Sequence, residues 1–367
     1  MTRVTLNNVS KTYNGVQAVE SLSFEVEDGE FFTILGPPGA GKTSTLKMIA
    51  GVEALTEGEV LFDGEPVNGL PPNKRNVAMV FESYALYPHL TAFENIAYPL
   101  QEHRHELGYT DDQIRDIVEE MAELLQITAE LGRRPAFLSG GQRQRVALAR
   151  TLVRNPRVFL LDEPIAHLDA RLRHQLRAEL KRIQRQRGVT TIYATPDYVE
   201  AIAMADRIAM LFGGKLHQLG TPAEILHAPS TAEVAQFVGD PPMNIIEAQI
   251  TRQDGRLVFK CEEFDLPVPP RLQGVIEQQG YERILVGIRP GDVMVSQTEL
   301  PAPACEVKLY VVETLHRKAI LSLEKGKMLL KANTPPGFRA RIGDPLWLQF
   351  PEDRLFVFAP DTLLALV

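Results

Sequence analysis

Apolar positions along the first 240 residues follow two rhythms. Short unbroken apolar runs come first: FFTIL at 31–35 stops at glycine and proline, VFLLD at 158–162 ends in acids, and VTTIYAT covers 189–195. Runs of this kind predict strands buried on both faces, as in a parallel sheet. Elsewhere apolar residues recur every three or four positions. TSTLKMIA at 43–50 predicts a helix stopped at Gly51, a residue suited to the left-handed turn that closes helices. Thr110 and Gln113 make a capping box ahead of Ile114, Ile117, Val118, Met121, Leu124 and Leu125, one face of a second helix. Leu168, Leu172, Leu176, Leu180 and Ile183 mark a third, stopped at Gly188. Strand-like and helix-like segments alternate, so a parallel sheet with crossover helices is expected.

After Asp240-Pro241-Pro242 the texture changes. LVF, ILVGI, CEVKLYVVE, LWLQF and LFVFA are short, β-rich segments separated by Gly, Pro and Asp. They predict a small antiparallel barrel or sandwich. The expected division is therefore a domain at 1–240, with a helical insertion at about 90–155, and a β-rich accessory domain at 241–367.

Composition narrows the function classes. With 47 acidic against 39 basic side chains the net charge is −8, which argues against a nucleic-acid binder that works by neutralising phosphates. No stretch approaches the ~20 apolar residues that span a bilayer, and MTRVTLNNVSKTY has no apolar signal segment. Cys261 and Cys305 lie far apart without partner ligands, and read as thiols in a reducing cytosol rather than as a disulfide framework or zinc site.

The candidate chemistry lies in three motifs. Gly36-Pro37-Pro38-Gly39-Ala40-Gly41-Lys42-Thr43 matches G-x-x-x-x-G-K-[ST] between a predicted strand and a predicted helix. Its glycines let backbone amides curl around phosphates at the positive end of the helix, with Ser44 next in line. Lys42 supplies a point charge to the β- and γ-phosphates of a nucleotide, and the Thr43 hydroxyl suits Mg²⁺. The strand 158–162 then delivers Asp162 to the metal and Glu163 to an attacking water. Between them Leu138-Ser139-Gly140-Gly141-Gln142 precedes RQRVALARTLV. Ser139 can cap that helix, which makes a second anion site.

These motifs together resemble the ATP-binding subunit of an ABC transporter, within the carbohydrate-importer group that carries a C-terminal TOBE domain. The resemblance implies an α/β P-loop ATPase domain with a helical subdomain, followed by a β-rich OB-like (TOBE) accessory domain. It implies ATP and Mg²⁺ as ligands, and a head-to-tail dimer in which the phosphate loop of one ATPase subunit faces the LSGGQ of the other. On that likeness Ser139, Gly140, Gly141 and Gln142 serve the partner's ATP, and Tyr13 stacks on adenine. Ser83, Tyr84, Tyr87, Pro88 and His89 line the groove that receives the transmembrane permease subunits, while His167 and Asp169 lie in the loop crossing the interface. Asp240-Pro241-Pro242-Met243-Asn244 and Val286-Gly287-Ile288-Arg289-Pro290 resemble the accessory domain of sugar-importer ATPases. The implied partners are a second ATPase subunit, the permeases and, through the complex, a solute-binding protein. The implied location is the cytoplasmic face of the plasma membrane, with a sugar, polyol or glycerol phosphate as cargo.

Two positions depart from the family pattern. Glu82 stands where the family has glutamine; it can still ligate Mg²⁺ with Thr43 and Asp162, but brings a further carboxylate near Asp162 and Glu163, where like charges raise a pKa or push a group away. Pro196 stands where a histidine would donate to the γ-phosphate; proline has neither a side-chain donor nor an N–H. The expectation is an attenuated hydrolytic site beside an intact LSGGQ that serves a different ATPase subunit. The alternatives are a homodimer with two slow sites, or an ABC ATPase without membrane partners.

Overall fold

The computed structural model describes residues 2–81, 83–102, 104, 108–315, 318–335 and 337–366. The chain forms two compact units, Met1–Pro222 and Ala223–Val367.

The first unit opens with the hairpin β1 (Val4–Tyr13) and β2 (Val16–Val26), followed by β3 (Phe31–Leu35), β4 (Glu57–Phe62) and β5 (Glu65–Pro66). An antiparallel sheet runs β2-β1-β4-β5. The strict alternation expected of a parallel sheet therefore does not begin at the N-terminus. Asn14 and Gly15 both take positive φ (49° and 84°), the geometry of a two-residue turn that matches strand twist, and Tyr13 pairs with Val16 across it.

The second sheet is the one the apolar runs predicted. It adds β6 (Val77–Val80), β7 (Val158–Asp162), β8 (Thr190–Thr195), β9 (Arg207–Phe212) and β10 (Lys215–Gly220), in the order β10-β9-β3-β8-β7-β6. All neighbours are parallel except β10. Every residue of β3, β7 and β8 is buried, which is why these segments are continuously apolar rather than alternating.

Helix α1 (Lys42–Ala50) follows β3 and closes on Gly51 at φ 75°. Between β6 and β7 lie α2 (Ala92–Glu102), α3 (Asp111–Leu124) and α4 (Gly140–Leu152), packed through Ile96, Leu100, Val118, Ala122 and Leu148. Then come α5 (Ala170–Arg187) and α6 (Tyr198–Met204). Leu168, counted with α5 by its spacing, precedes the helix, because Asp169 takes extended backbone and caps it. A cleft of about 350 Å³ separates α3 from α5, with Glu120 and Glu123 on one wall and Arg182 and Arg187 on the other.

In the second unit α7 (Pro222–His227) and α8 (Ala232–Phe237) precede β11 (Asn244–Gln253), β12 (Arg256–Lys260) and β13 (Asp265–Pro267). Next are α9 (Pro270–Gln279), β14 (Arg283–Ile288), β15 (Met294–Ser296), β16 (Ala304–Leu315), β17 (Lys318–Lys325), β18 (Met328–Thr334), β19 (Pro345–Gln349) and β20 (Phe356–Phe358). Two antiparallel sheets result, β13-β12-β11-β14-β20 and β15-β19-β16-β17-β18, sharing a core of Phe259, Val286, Leu321, Leu323 and Leu348. Asn244 staples them: its side chain donates to the carbonyls of Ile288 (3.3 Å) and Lys331 (2.9 Å) and accepts from the Lys331 amide (2.7 Å). Ala232 and Ala235 of α8 bury against Met243 and Phe358, so this unit begins ahead of the proline pair at 241–242. Among the described residues no helix is long and apolar enough to cross a membrane.

Candidate nucleotide site

The loop after β3 is built around glycines that the geometry requires. A Cβ on Gly36 would stand 2.1 Å from the Leu211 carbonyl oxygen, inside any permissible contact. Gly41 combines φ 93° with a Cβ position 2.6 Å from the Ala18 carbonyl oxygen. Gly39 has open space but φ 80°, a left-handed conformation that L side chains resist. Ala40 is buried and its amide donates to Pro37 O (3.2 Å). Lys42 opens α1, and its ammonium donates to the carbonyls of Gly36 (3.0 Å) and Pro37 (3.1 Å). Thr43 and Ser44 occupy the same half-buried first turn. No side chain caps α1, the arrangement by which such loops present amides and the positive helix end to an anion.

Strand β7 brings the acids to this loop. Asp162 is buried, and its Oδ1 accepts a hydrogen bond from the Thr43 hydroxyl at 3.1 Å. Glu163 follows with φ 46°; its amide donates to Ala194 O on β8 (3.0 Å), and its Oε1 lies 3.9 Å from Lys42 Nζ. The left-handed residue turns the chain out of the sheet and leaves the carboxylate at the loop. An adjacent hydroxyl and carboxylate are the hard oxygen donors that suit Mg²⁺. Among the described residues no group of three His, Cys, Asp or Glu forms a metal cluster.

Helix α4 starts at Ser139, whose hydroxyl accepts from the Gln142 amide (3.2 Å) while Gln142 Oε1 accepts from the Ser139 amide (2.8 Å). Gly140 has open space at its Cβ position, whereas a Cβ on Gly141 would come 3.3 Å from the His167 carbonyl oxygen. Gln144, which the sequence reading passed over, is buried one turn inside the helix. Its Nε2 donates to Glu163 O (3.0 Å) and its Oε1 accepts from the His167 amide (3.2 Å). The available signal was its spacing: residues 144 and 148 share a helix face, and Leu148 is apolar and fully buried.

From the segment 83–89, Tyr87 lines a cavity of about 520 Å³ together with Phe81, Tyr98, Arg150 and Arg154, among others. Ser83, Tyr87, Pro88 and His89 are exposed and Tyr84 is half-buried. The Tyr87 ring packs on Tyr98 (centroids 4.8 Å apart) and lies 6.2 Å from His89. A second residue missed in the sequence holds this loop. Asn95 is fully buried; it accepts from the Tyr87 amide (2.8 Å) and donates to the carbonyls of Tyr87 (3.1 Å) and Leu90 (3.2 Å). Burial lowers the pKa of Arg150 from its ordinary value. In the loop after β7 His167 is exposed, and Asp169 caps α5, accepting from the Leu172 amide (3.0 Å).

Pro196 follows β8 and offers the site no donor. Its neighbours are nevertheless fixed: Asp197 caps α6, accepting from Val199 N (2.8 Å), and the hydroxyls of Tyr193 (2.7 Å) and Thr195 (2.9 Å) donate to buried Glu200. Burial, reinforced by the Glu200 carboxylate, pushes the Tyr193 phenol well above its usual value. Tyr13 ends β1 half-buried, with Lys11 Nζ 4.7 Å from its ring centroid. Glu82 lies outside the described residues.

A family model described as ABC transporter matches residues 19–166, from β2 through the loop after β7. The trehalose/maltose import ATP-binding protein MalK of Thermococcus litoralis is 43% identical over 99% of both chains. The chain belongs to the ABC transporter family. It is an ATP-binding subunit of that family, and hence a transport-coupled ATPase. Other relatives are the xylose/arabinose import ATP-binding protein XacK of Haloferax volcanii, 40% identical over 99% of this chain and 94% of that one. The sn-glycerol-3-phosphate import ATP-binding protein UgpC of Bordetella avium is 40% identical over 90% and 88%. Among solved structures, a dimeric post-hydrolysis state of the ATP-binding cassette MJ0796 bound to ADP and Pi covers 60% of this ABC subunit and 98% of that chain. Its TM-score is 0.55 at 31% identity.

Proposed function

We propose that this subunit binds Mg-ATP at Gly36–Ser44 and uses it to drive uptake of a sugar, polyol or glycerol phosphate, seated peripherally on the cytoplasmic face of the membrane beside permease subunits. The observation that carries the reading is the pair of contacts Thr43–Asp162 and Lys42–Glu163. They gather a metal-binding hydroxyl, a carboxylate, a phosphate-binding cation and a general base around one glycine loop. Amides of the loop hold the phosphates, and Lys42 exchanges its bonds to Gly36 O and Pro37 O for phosphate oxygens. Thr43 and Asp162 would hold Mg²⁺, which offsets charge on those oxygens. Glu163 accepts a proton from the attacking water. Tyr13, at the end of β1, stacks on the base.

Closure with a second ATPase subunit would bring the α4 N-terminus of each chain to the other's ATP, with His167 and Asp169 in the facing loop. Because contacts to the γ-phosphate exist only in the closed pair, ATP favours closure. The groove at Ser83–His89 receives the permeases, and a solute-binding protein delivers cargo through the complex.

The site of this chain is attenuated. Removing one well-placed donor costs roughly 10²–10³ in rate, and Pro196 removes the donor expected there; Glu82 adds a carboxylate. The subunit then lends LSGGQ to a competent partner. Purified alone, it is expected to bind Mg-ATP with little turnover, and Glu82→Gln combined with Pro196→His to raise the rate at least tenfold. Brisk hydrolysis by the unmodified chain overturns the attenuation. Isolation of the native complex with this subunit as the sole ATPase chain replaces the mixed pair with a slow homodimer.

A further inference from the structure

A continuous line of side-chain contacts joins the aromatic groove to the catalytic glutamate inside one chain. Arg150 of α4 has its guanidinium 5.4 Å from the Tyr87 ring centroid, and its Nη2 donates to Tyr84 O at 3.2 Å. The Tyr84 hydroxyl is hydrogen-bonded to His167 Nδ1 at 3.2 Å, and the two rings meet edge to face at 89°. The amide of His167 donates to Gln144 Oε1, and Gln144 Nε2 donates to the carbonyl of Glu163. One buried side-chain amide thus clamps both ends of the loop 163–167. Both arms of the relay, Arg150 and Gln144, project from the same helix.

We propose that Tyr84, His167 and Gln144 are positioning residues that tie the groove at Tyr84–His89 to the backbone of Glu163. The assignment rests on reading Glu163 as the general base. Two features make this line a determinant rather than incidental packing. Tyr84 and Ala85 both have positive φ (64° and 44°), as does Glu163 (46°). Such conformations persist only where surrounding bonds over-determine them. Two of these three, Tyr84 and Glu163, are held by the relay, through Arg150 at Tyr84 O and Gln144 at Glu163 O. A shift of the groove wall that moves Tyr84 pulls on His167, and through Gln144 on Glu163.

Hydrogen–deuterium exchange of the full-length chain without nucleotide tests this directly. Tyr84→Phe and His167→Ala each remove the ring-to-ring bond, and each is expected to speed exchange of the amides at 163–168 by roughly threefold to tenfold, the effect of one modest hydrogen bond. The double variant should exceed neither single one, since both remove the same bond. Exchange in β3 and β8 should stay unchanged, which reports that the fold is intact. A positioning role also predicts a kinetic split: Gln144→Leu lowers kcat for ATP with KM unchanged within about twofold. Gln144→Glu keeps the acceptor for His167 N but loses the donor to Glu163 O, so it preserves protection at 167 without restoring kcat. Unchanged exchange at 163–168 in both single variants, or additive effects in the double, overturns the relay. Hydrolysis by Glu163→Gln at the rate of the unmodified chain would instead overturn the reading of Glu163 as a base, while the exchange result stands by itself.

Discussion

At the scale of single residues, the glycines of the phosphate loop are not equivalent. A methyl at position 36 meets the Leu211 carbonyl, whereas a methyl at 39 meets nothing but forces a left-handed alanine. Gly36→Ala is therefore expected to displace β3 from β9 and lower the yield of folded protein. Gly39→Ala should cost about 1–2 kcal/mol and leave the fold intact. Chemical denaturation of both variants beside the unmodified chain distinguishes these outcomes. The cysteines give a second prediction. Burial pushes the Cys261 thiol up to about 12, and burial also raises that of Cys305. With both pKa values above the medium, the reactive thiolate is suppressed at pH 8. Iodoacetamide should leave both unlabelled in native protein and label both after unfolding, read by mass spectrometry.

At the scale of elements, two helices carry the same capping box for different ends. Thr110 and Gln113 begin α3, Ser139 and Gln142 begin α4, and the hydrogen bonds match closely. Each cap should contribute roughly 0.5–2 kcal/mol. Thr110→Ala should show that loss in denaturation alone. Ser139→Ala should show a similar loss and, on the proposed closure, also depress ATPase activity of the assembled subunits, because its first-turn amides would then face the partner's nucleotide. An equal effect of both on activity would remove the special role of α4.

What the sequence made legible follows from these same elements. Fully buried strands and capped amphipathic helices leave local, periodic marks, so β3, β7, β8, α1 and α3 could be read directly. The motifs at 36–43, 139–142 and 162–163 are likewise contiguous. The hairpin β1–β2 was missed because fewer than half of its residues are buried and the run is not continuously apolar. Helix α9 buries little more than Leu272 and Ile276, too thin a stripe to stand out. Gln144 and Asn95 were invisible for another reason: their partners are backbone groups brought near only by the fold.

At the scale of the whole molecule, every residue assigned to the chain's own nucleotide lies within Met1–Pro222. Mg-ATP at a hundred times its dissociation constant should stabilise that unit by about 2.7 kcal/mol. Calorimetry with and without nucleotide measures this, and Lys42→Ala should abolish the shift. A stabilisation that survives the loss of Lys42 would place nucleotide binding elsewhere.

The cleft between α3 and α5 bears on how such experiments are run. Its walls oppose Glu120 and Glu123 to Arg182 and Arg187, so an attraction acts between α3 and α5. Ions in the medium weaken that attraction, since the screening distance shrinks from about 10 Å at 0.1 M salt to about 3 Å at 1 M. Ionic strength is thus expected to weaken the attraction across this cleft. Turnover measured in dilute buffer and in concentrated salt is expected to differ if this attraction helps to place the helix that carries LSGGQ.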